Sequence, residues 1–188
     1  MNLRPVKTVV AITGCSGVVY GARLVELLKG DRVLIVSKTG KKILEQEVGP
    51  SVARLKKSVD ELYEDDDLFA PISSGSQLFD AVVIVPCSQS TLAKISSGIA
   101  DTLITRVAAV ALKEGRKLIL VPRETPLSAI MLENELKLSR LGVTILPASP
   151  AFYHSPKEMG DLVDFVVGKV LDQLGQHHRL YNRWNKKE

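Results

Sequence analysis

The sequence predicts an α/β fold, a doubly wound, mostly parallel sheet of Rossmann-like (flavodoxin-like) type with helices on both faces. Three observations carry that prediction. Short runs rich in β-branched residues, such as Val9–Ile12 and Ala81–Val85, are apolar at every position, as in strands buried between two helical layers. Helical patterns alternate with these runs along the chain, the rhythm of βαβ units. Four of the runs end in turns rich in Ser, Thr, Gly or Arg, at the strand ends where such sheets hold ligands.

Taken in order, Val9–Ile12 is the first strand and opens into Thr13-Gly14-Cys15-Ser16-Gly17. A helix follows with Val18, Ala22, Val25 and Leu28 on one stripe, closed by Gly30. Arg32–Ser37 is the second strand, and a short helix over 40–47 stops at Gly49-Pro50. Residues 51–69 are polar, with a short helix expected at Val59–Tyr63 and Asp65-Asp66-Asp67 on a solvated face. Residues 71–76 form a loop by composition. Asp80–Val85 is the third strand, ending in Pro86-Cys87-Ser88-Gln89-Ser90-Thr91 before a helix. A helix over Asp101–Glu114 has Asp101 or Thr102 as its N-cap and Gly115 as its stop.

Lys117–Val121 is the fourth strand and ends in Pro122-Arg123-Glu124-Thr125-Pro126. Ser128 caps a helix running to Arg140, and Val143–Leu146 is the fifth strand. The last helix starts near Pro156 and carries Met159, Leu162, Val163, Val166, Val167, Val170, Leu171 and Leu174 as an apolar stripe. Residues 176–188 are a basic and aromatic tail with Tyr181 and Trp184, expected at subunit contacts.

The 188 residues suit one domain spanning 1–188. Lys and Arg number 25 against 21 Asp and Glu, a net charge of +4. The basic residues are dispersed, which argues against a nucleic-acid partner. Two cysteines make no disulfide framework, and no His/Cys spacing suits a metal. No apolar run approaches the ~20 residues of a membrane span, and no signal peptide opens the chain. A cytoplasmic protein is the expectation.

The strand ends carry the chemistry. The 13–17 turn can present backbone N–H groups to a phosphate or a ring carbonyl, although it is not a GxGxxG dinucleotide fingerprint. Ser37 and Lys38 follow the second strand, Ser88-Gln89-Ser90-Thr91 the third, and Arg123-Glu124 the fourth. Four such ends on one edge point to a phosphorylated, ring-bearing ligand. FMN fits, since it needs one phosphate cradle and several ring-edge hydrogen bonds. Arg106 and Lys113 are seven apart and share one side of their helix. Arg106 stands among apolar neighbours, where an Arg needs an anionic partner. Glu47, Glu124 and Tyr153 each end an element or sit in a loop, and alone read as surface or capping residues. Cys15 reads as a small buried residue rather than a nucleophile.

These residues match a known pattern. Thr13-Gly14-Cys15-Ser16-Gly17, Ser73-Ser74-Gly75-Ser76, Pro86-Cys87-Ser88 with Thr91, and Arg106-Val107-Ala108 with Ala111-Leu112-Lys113-Glu114 are its first half. Val121-Pro122-Arg123-Glu124-Thr125-Pro126, Pro150-Ala151-Phe152-Tyr153-His154 and Asp164-Phe165-Val166-Val167 complete it. From Val9 to Trp184 the chain resembles the UbiX/Pad-type flavin prenyltransferases. The resemblance implies an enzyme that binds reduced FMN as a substrate and transfers a dimethylallyl group to it from dimethylallyl phosphate, at N5 and then C6. It implies that the prenylated FMN serves a UbiD-type decarboxylase, that no metal is used, and that a homo-oligomer, usually a dodecamer, forms active sites at its interfaces.

Carried onto this sequence, the resemblance puts Gly14, Cys15, Ser16, Ser37, Ser88, Gln89, Ser90, Thr91 and Arg123 against the flavin. It puts Lys113, Arg123, Tyr153 and Lys169 around the prenyl phosphate, with Arg106 adding positive charge near a phosphate at the interface. Ser16, Glu47, Lys113 and Glu124 are the implied catalytic group. Three positions depart from the family pattern. Cys15 replaces a usual Ala, Lys169 replaces an Arg and loses its bidentate fork, and Leu68 stands near a Trp that lines the prenyl pocket in some members. Two other readings stay open: an FMN-dependent oxidative decarboxylase of the same fold, whose catalytic His near the first helix is lacking because the first histidine is His154, and a non-catalytic flavin-binding protein.

Overall fold

The computed structural model describes residues 6–49 and 51–184. Its elements run β1 (Lys7–Ile12), α1 (Val18–Leu27), β2 (Asp31–Val36), α2 (Lys38–Val48), α3 (Ser51–Lys56) and β3 (Glu61–Glu64). A 3-10 turn at Pro71–Ser73 leads to β4 (Ala81–Cys87), α4 (Gln89–Ser96) and α5 (Leu103–Lys113). The chain then forms β5 (Lys117–Pro122), α6 (Ala129–Arg140), β6 (Thr144–Ile145) and α7 (Met159–Gln173). All six strands are parallel, in the order β3-β2-β1-β4-β5-β6.

Alternation along each strand divides the core between the two faces. Val9 and Ala11 of β1, with Val82 and Ile84 of β4, pack beneath Leu92, Leu103, Val107 and Leu138 of α4, α5 and α6. Val10 and Ile12, with Val83 and Val85, meet Leu24, Val25, Leu44, Val166 and Val170 of α1, α2 and α7. β1 and β4 are therefore wet on neither face, which is why their sequences read as unbroken apolar runs.

The weakly patterned middle of the chain differs from expectation. Residues 59–63 are not a helix: Glu61–Glu64 forms the edge strand β3, in register from Val33↔Glu61 to Val36↔Glu64. Leu62 packs into one core layer and Tyr63 into the other, a period of two that the flanking glutamates disguise. Without β3 the sheet has the five-strand flavodoxin order; with it, the six-strand Rossmann order. The 51–69 stretch also holds α3. Asp65 is not merely solvated. Its carboxylate accepts from Ile104 N at 2.9 Å and its carbonyl from Leu103 N at 2.7 Å, fixing the start of α5, which Thr102 caps.

Elsewhere the differences are in boundaries. β4 runs on to Cys87 and β6 keeps only two residues. Pro50, expected to close α2, and residues 185–188 of the tail lie outside the described residues. Residues 177–184 pack on their own chain's α7, with His178 and Tyr181 against Gly168.

Candidate functional site

The order of the strands reverses between β1 and β4, and their carboxyl ends open the crevice where doubly wound sheets bind ligands. Thr13, 1% exposed, ties the two ends together. Its hydroxyl donates to Pro86 O at 2.8 Å and accepts from Ser88 N at 2.7 Å. The helices that follow β4 and β2 then start from side-chain caps. Ser88 Oγ accepts from Thr91 N at 3.3 Å and lies 3.0 Å from Thr91 Oγ1. Ser37 Oγ accepts from Gly40 N at 3.0 Å. These serines and threonines are thus partly committed to ordering the turns that present them.

The 13–17 turn is shaped by glycine. Gly17 has φ 95°, a conformation that side chains disfavour, and its N–H donates to Glu47 Oε2 at 2.9 Å. A Cβ on Gly17 would lie 3.2 Å from Arg123 Cδ, so the Arg123 stem crosses from β5 onto this turn. A Cβ on Gly14 would lie 2.6 Å from Thr39 Cβ, so α2 closes on the other side. The Cys15 thiol records the company. Burial pushes its pKa up to about 11; Arg123 and a Thr13 hydrogen bond pull it down, while Glu124 and Glu47 push it up. A protonated thiol is no nucleophile, and Cys15 stays a small wall residue.

Two donors in this crevice have no partner among the described residues. Gln89 Nε2 and Arg123 Nε are buried without a hydrogen bond among the described residues. Buried donors are normally satisfied, because leaving one unmade costs about 1–3 kcal/mol. Both belong to residues the sequence places in the flavin site. An amide donor, a guanidinium, a helix-opening turn and capped serines suit a ligand with ring acceptors and a phosphate, so the residues present fit FMN. Tyr20 was not anticipated. Burial raises its phenol and Arg123 lowers it, so it stands beside Arg123 on α1; the 3.6-residue spacing showed only that helix's apolar stripe.

A second group lies beyond β5 and β6. Ala148 N donates to Pro122 O at 3.0 Å, which carries the pairing past the strand ends and brings the 146–154 loop alongside the base of Arg123. Tyr153 is half exposed, with ring centroids at 5.9 Å from Phe165 and 5.5 Å from Trp184, both edge-on. Lys169 lines a cavity with Leu146, Pro147, Ser149, Phe165 and Val166, and its Nζ lies 3.8 Å from Asp172.

The sequence-derived set therefore divides. Gly14, Cys15, Ser16, Ser37, Glu47, Ser88, Gln89, Ser90, Thr91, Arg123 and Glu124 share the carboxyl edge around β1, β4 and β5, with Ser16, Glu47, Ser90 and Glu124 exposed. Tyr153 and Lys169 sit on its flank. Lys113 does not join them. It ends α5 where β5 begins, a full strand length from Arg123, exposed and 3.1 Å from Glu114. Arg106 also differs from expectation: Leu103, Ile104, Val107 and Ala108 turn inward while Arg106 is exposed, so no buried anion is required there. Leu68 is 39% exposed and its neighbour Phe69 is 99% exposed.

Among the described residues no group of three or more His, Cys, Asp or Glu is arranged to hold a metal ion, and no helix is long and apolar enough to cross a membrane.

The sequence profile of the Flavoprotein family matches residues 1–171. A flavin prenyltransferase UbiX from Methanocaldococcus jannaschii is 51% identical over 181 residues, covering 95% of this chain and 98% of that protein. A dodecameric FMN-dependent UbiX-like decarboxylase from Escherichia coli O157:H7, solved by crystallography, superposes with a TM-score of 0.92 at 44% identity, covering 95% of this chain and 99% of that one. The crystal structure of AnUbiX (PadA1) in complex with FMN and dimethylallyl pyrophosphate superposes with a TM-score of 0.95 at 39% identity, covering 98% and 100%.

Proposed function

The chain belongs to the flavoprotein family, among its UbiX-type flavin prenyltransferases, and from that premise we propose that it transfers a dimethylallyl group from dimethylallyl phosphate to N5 and C6 of reduced FMN. The observation that carries the residue assignment is the convergence of Arg123, Glu124 and Glu47 on the Cys15 turn, beside the unpaired donors of Gln89 and Arg123. The reduced flavin supplies the nucleophile. The protein's part is to hold it, to draw charge off the departing phosphate and to move protons.

Arg123 stands between the two regions, its stem on the flavin turn and its strand next to the Tyr153 loop. A cation there stabilises the negative charge that grows on the phosphate as the allylic C–O bond breaks. Lys169 adds charge from the flank, and Tyr153 offers a phenol. Glu124 follows Arg123 directly, and a carboxylate beside a phosphate can pass a proton to it. Glu47 holds Gly17 N–H, which fixes the turn and leaves its second oxygen as a proton acceptor, with Ser16 alongside. Two cations, Arg123 and Lys169, thus flank the phosphate, in keeping with a metal-independent reaction. The product, prenylated FMN, then serves a UbiD-type decarboxylase, in a cytoplasm whose reducing conditions suit the two free cysteines.

The distance of Lys113 from this centre supports a site shared between copies, with Lys113 and Arg106 reaching the phosphate from a neighbouring subunit of a dodecamer. Mixing experiments test this. Lys113→Ala and Arg123→Ala proteins are each inactive in prenylation, and co-assembled oligomers recover activity, because some interfaces then pair an intact Lys113 with an intact Arg123. Co-assembled oligomers as inactive as the parents would place both residues in one subunit's site.

A further inference from the structure

Asp172 is the hub of the C-terminal tail. Three side chains of the tail, those of His178, Tyr181 and Arg183, converge on this one carboxylate. His178 Nε2 lies 3.1 Å from Oδ1, the Tyr181 hydroxyl donates to Oδ2 at 2.9 Å, and Arg183 donates at 2.6 and 3.2 Å. Helix α7 is cut to receive the tail. A Cβ on Gly168, one turn before Asp172, would lie 2.6 Å from both His178 Cε1 and Tyr181 Cε1. The strap ends at Trp184, whose ring meets Tyr153 edge-on at 5.5 Å and an interplanar angle of 89°. Tyr181 meanwhile packs on Phe165 at 4.7 Å, and Phe165 meets Tyr153 from the other side. The same carboxylate lies 3.8 Å from Lys169 on its own helix.

We infer that Asp172 is a positioning residue for the donor-binding side of the site, setting Tyr153 through the 177–184 strap and Lys169 through direct ion pairing. This rests on the prenyl-transfer reading, which assigns Tyr153 and Lys169 to the donor phosphate. Asp172 touches neither substrate. Two of the donor's contacts come from different parts of the chain, an exposed loop and a flexible lysine, and one carboxylate constrains both. Arg183 competes with Lys169 for that carboxylate. With the strap in place, Asp172 is occupied by two Arg183 nitrogens at short range, and its longer contact to Lys169 biases the direction of the ammonium without taking it out of reach of a phosphate. Misplacing such groups by about 1 Å costs on the order of a hundredfold in well-oriented reactions.

Two variants loosen the strap by independent routes: Asp172→Asn removes the charge, and Gly168→Ala puts a methyl group where His178 and Tyr181 sit. Trp184 is the only tryptophan, so its time-resolved fluorescence anisotropy reports the strap directly. Calorimetry with dimethylallyl monophosphate, and separately with FMN, reports the two substrates without requiring turnover. In both variants Trp184 gains a fast nanosecond depolarisation, and donor affinity falls about tenfold while FMN affinity stays within about twofold. Asp172→Glu recovers part of the donor affinity. A freed Trp184 with undiminished donor affinity overturns the inference, and so does a Trp184 that stays immobile in both variants. A purely structural Asp172 would lower Tm and weaken FMN and donor alike. Failure of the prenyl-transfer reading shows differently, as wild-type protein that binds both molecules and returns unmodified FMN.

Discussion

The two sides of the crevice are built by different means. The flavin side is backbone held by side chains anchored at the sheet edge: strand ends tied by Thr13, helix starts capped by Ser37 and Ser88, and one glycine turn braced by Glu47. The donor side is side chain held by side chain, a tyrosine between aromatic edges and a lysine beside a carboxylate. The first kind of site is rigid because the sheet is rigid. The second depends on contacts between residues far apart in sequence, down to the last described residue. The lesson is that one active site can be set by the core on one side and by the end of the chain on the other. Substitutions on the two sides should therefore separate flavin binding from donor binding.

The largest effect falls on the residue that bridges both sides. Arg123→Ala lowers the rate of prenylated-FMN formation about a thousandfold, as loss of a preorganised charge does, with little change in Tm. Equal activity in the variant would remove Arg123 from the chemistry and leave the two sides unconnected. Next comes the scaffold of the flavin side. A Cβ on Gly21 would lie 2.3 Å from Val85 O, a backbone atom that cannot step aside. Gly21→Ala forces α1 off β4 and destabilises the fold by about 2 kcal/mol, read as a lower Tm and weaker FMN binding. Donor affinity measured on the FMN-saturated variant changes less.

On the donor side, Tyr153→Phe weakens dimethylallyl phosphate binding about fivefold through the lost hydroxyl hydrogen bond, with FMN affinity unmoved in a direct titration. A matching loss of FMN affinity would erase the distinction between the sides. The smallest effect concerns Cys15. Its pKa is raised from 9.0 to about 11, chiefly by burial, so the folded state keeps a proton that the unfolded chain releases. Stability is therefore undiminished below pH 9 and falls as pH rises from 9 toward 11. Cys15→Ala shows a shallower loss in alkaline thermal melts, and alkylation of native Cys15 stays slow until near pH 11.

The same contrast explains what was legible in the sequence. Each cradle residue follows a strand whose apolar run is unmistakable, so topology alone brings Gly14, Ser37, Ser88 and Arg123 to one edge. β3 was hidden because Glu61 and Glu64 flank only two alternating apolar residues on an edge strand. The exposure of Arg106 was not legible, because spacing gives its neighbours' faces but not the direction of its own long side chain. Lys113 carries the family motif, yet its motif says nothing of which end of α5 faces the crevice. The Asp172 hub has no local signature at all, since its partners lie six to eleven residues away in a tail without regular structure.

The central claim is prenyl transfer to flavin. Its most direct test is anaerobic incubation of the protein with reduced FMN and dimethylallyl monophosphate, followed by mass spectrometry of the released flavin. The account predicts FMN heavier by one C5 prenyl unit, and a parallel incubation with the diphosphate identifies the preferred donor. Unmodified FMN with both donors, from protein that binds FMN, would contradict it.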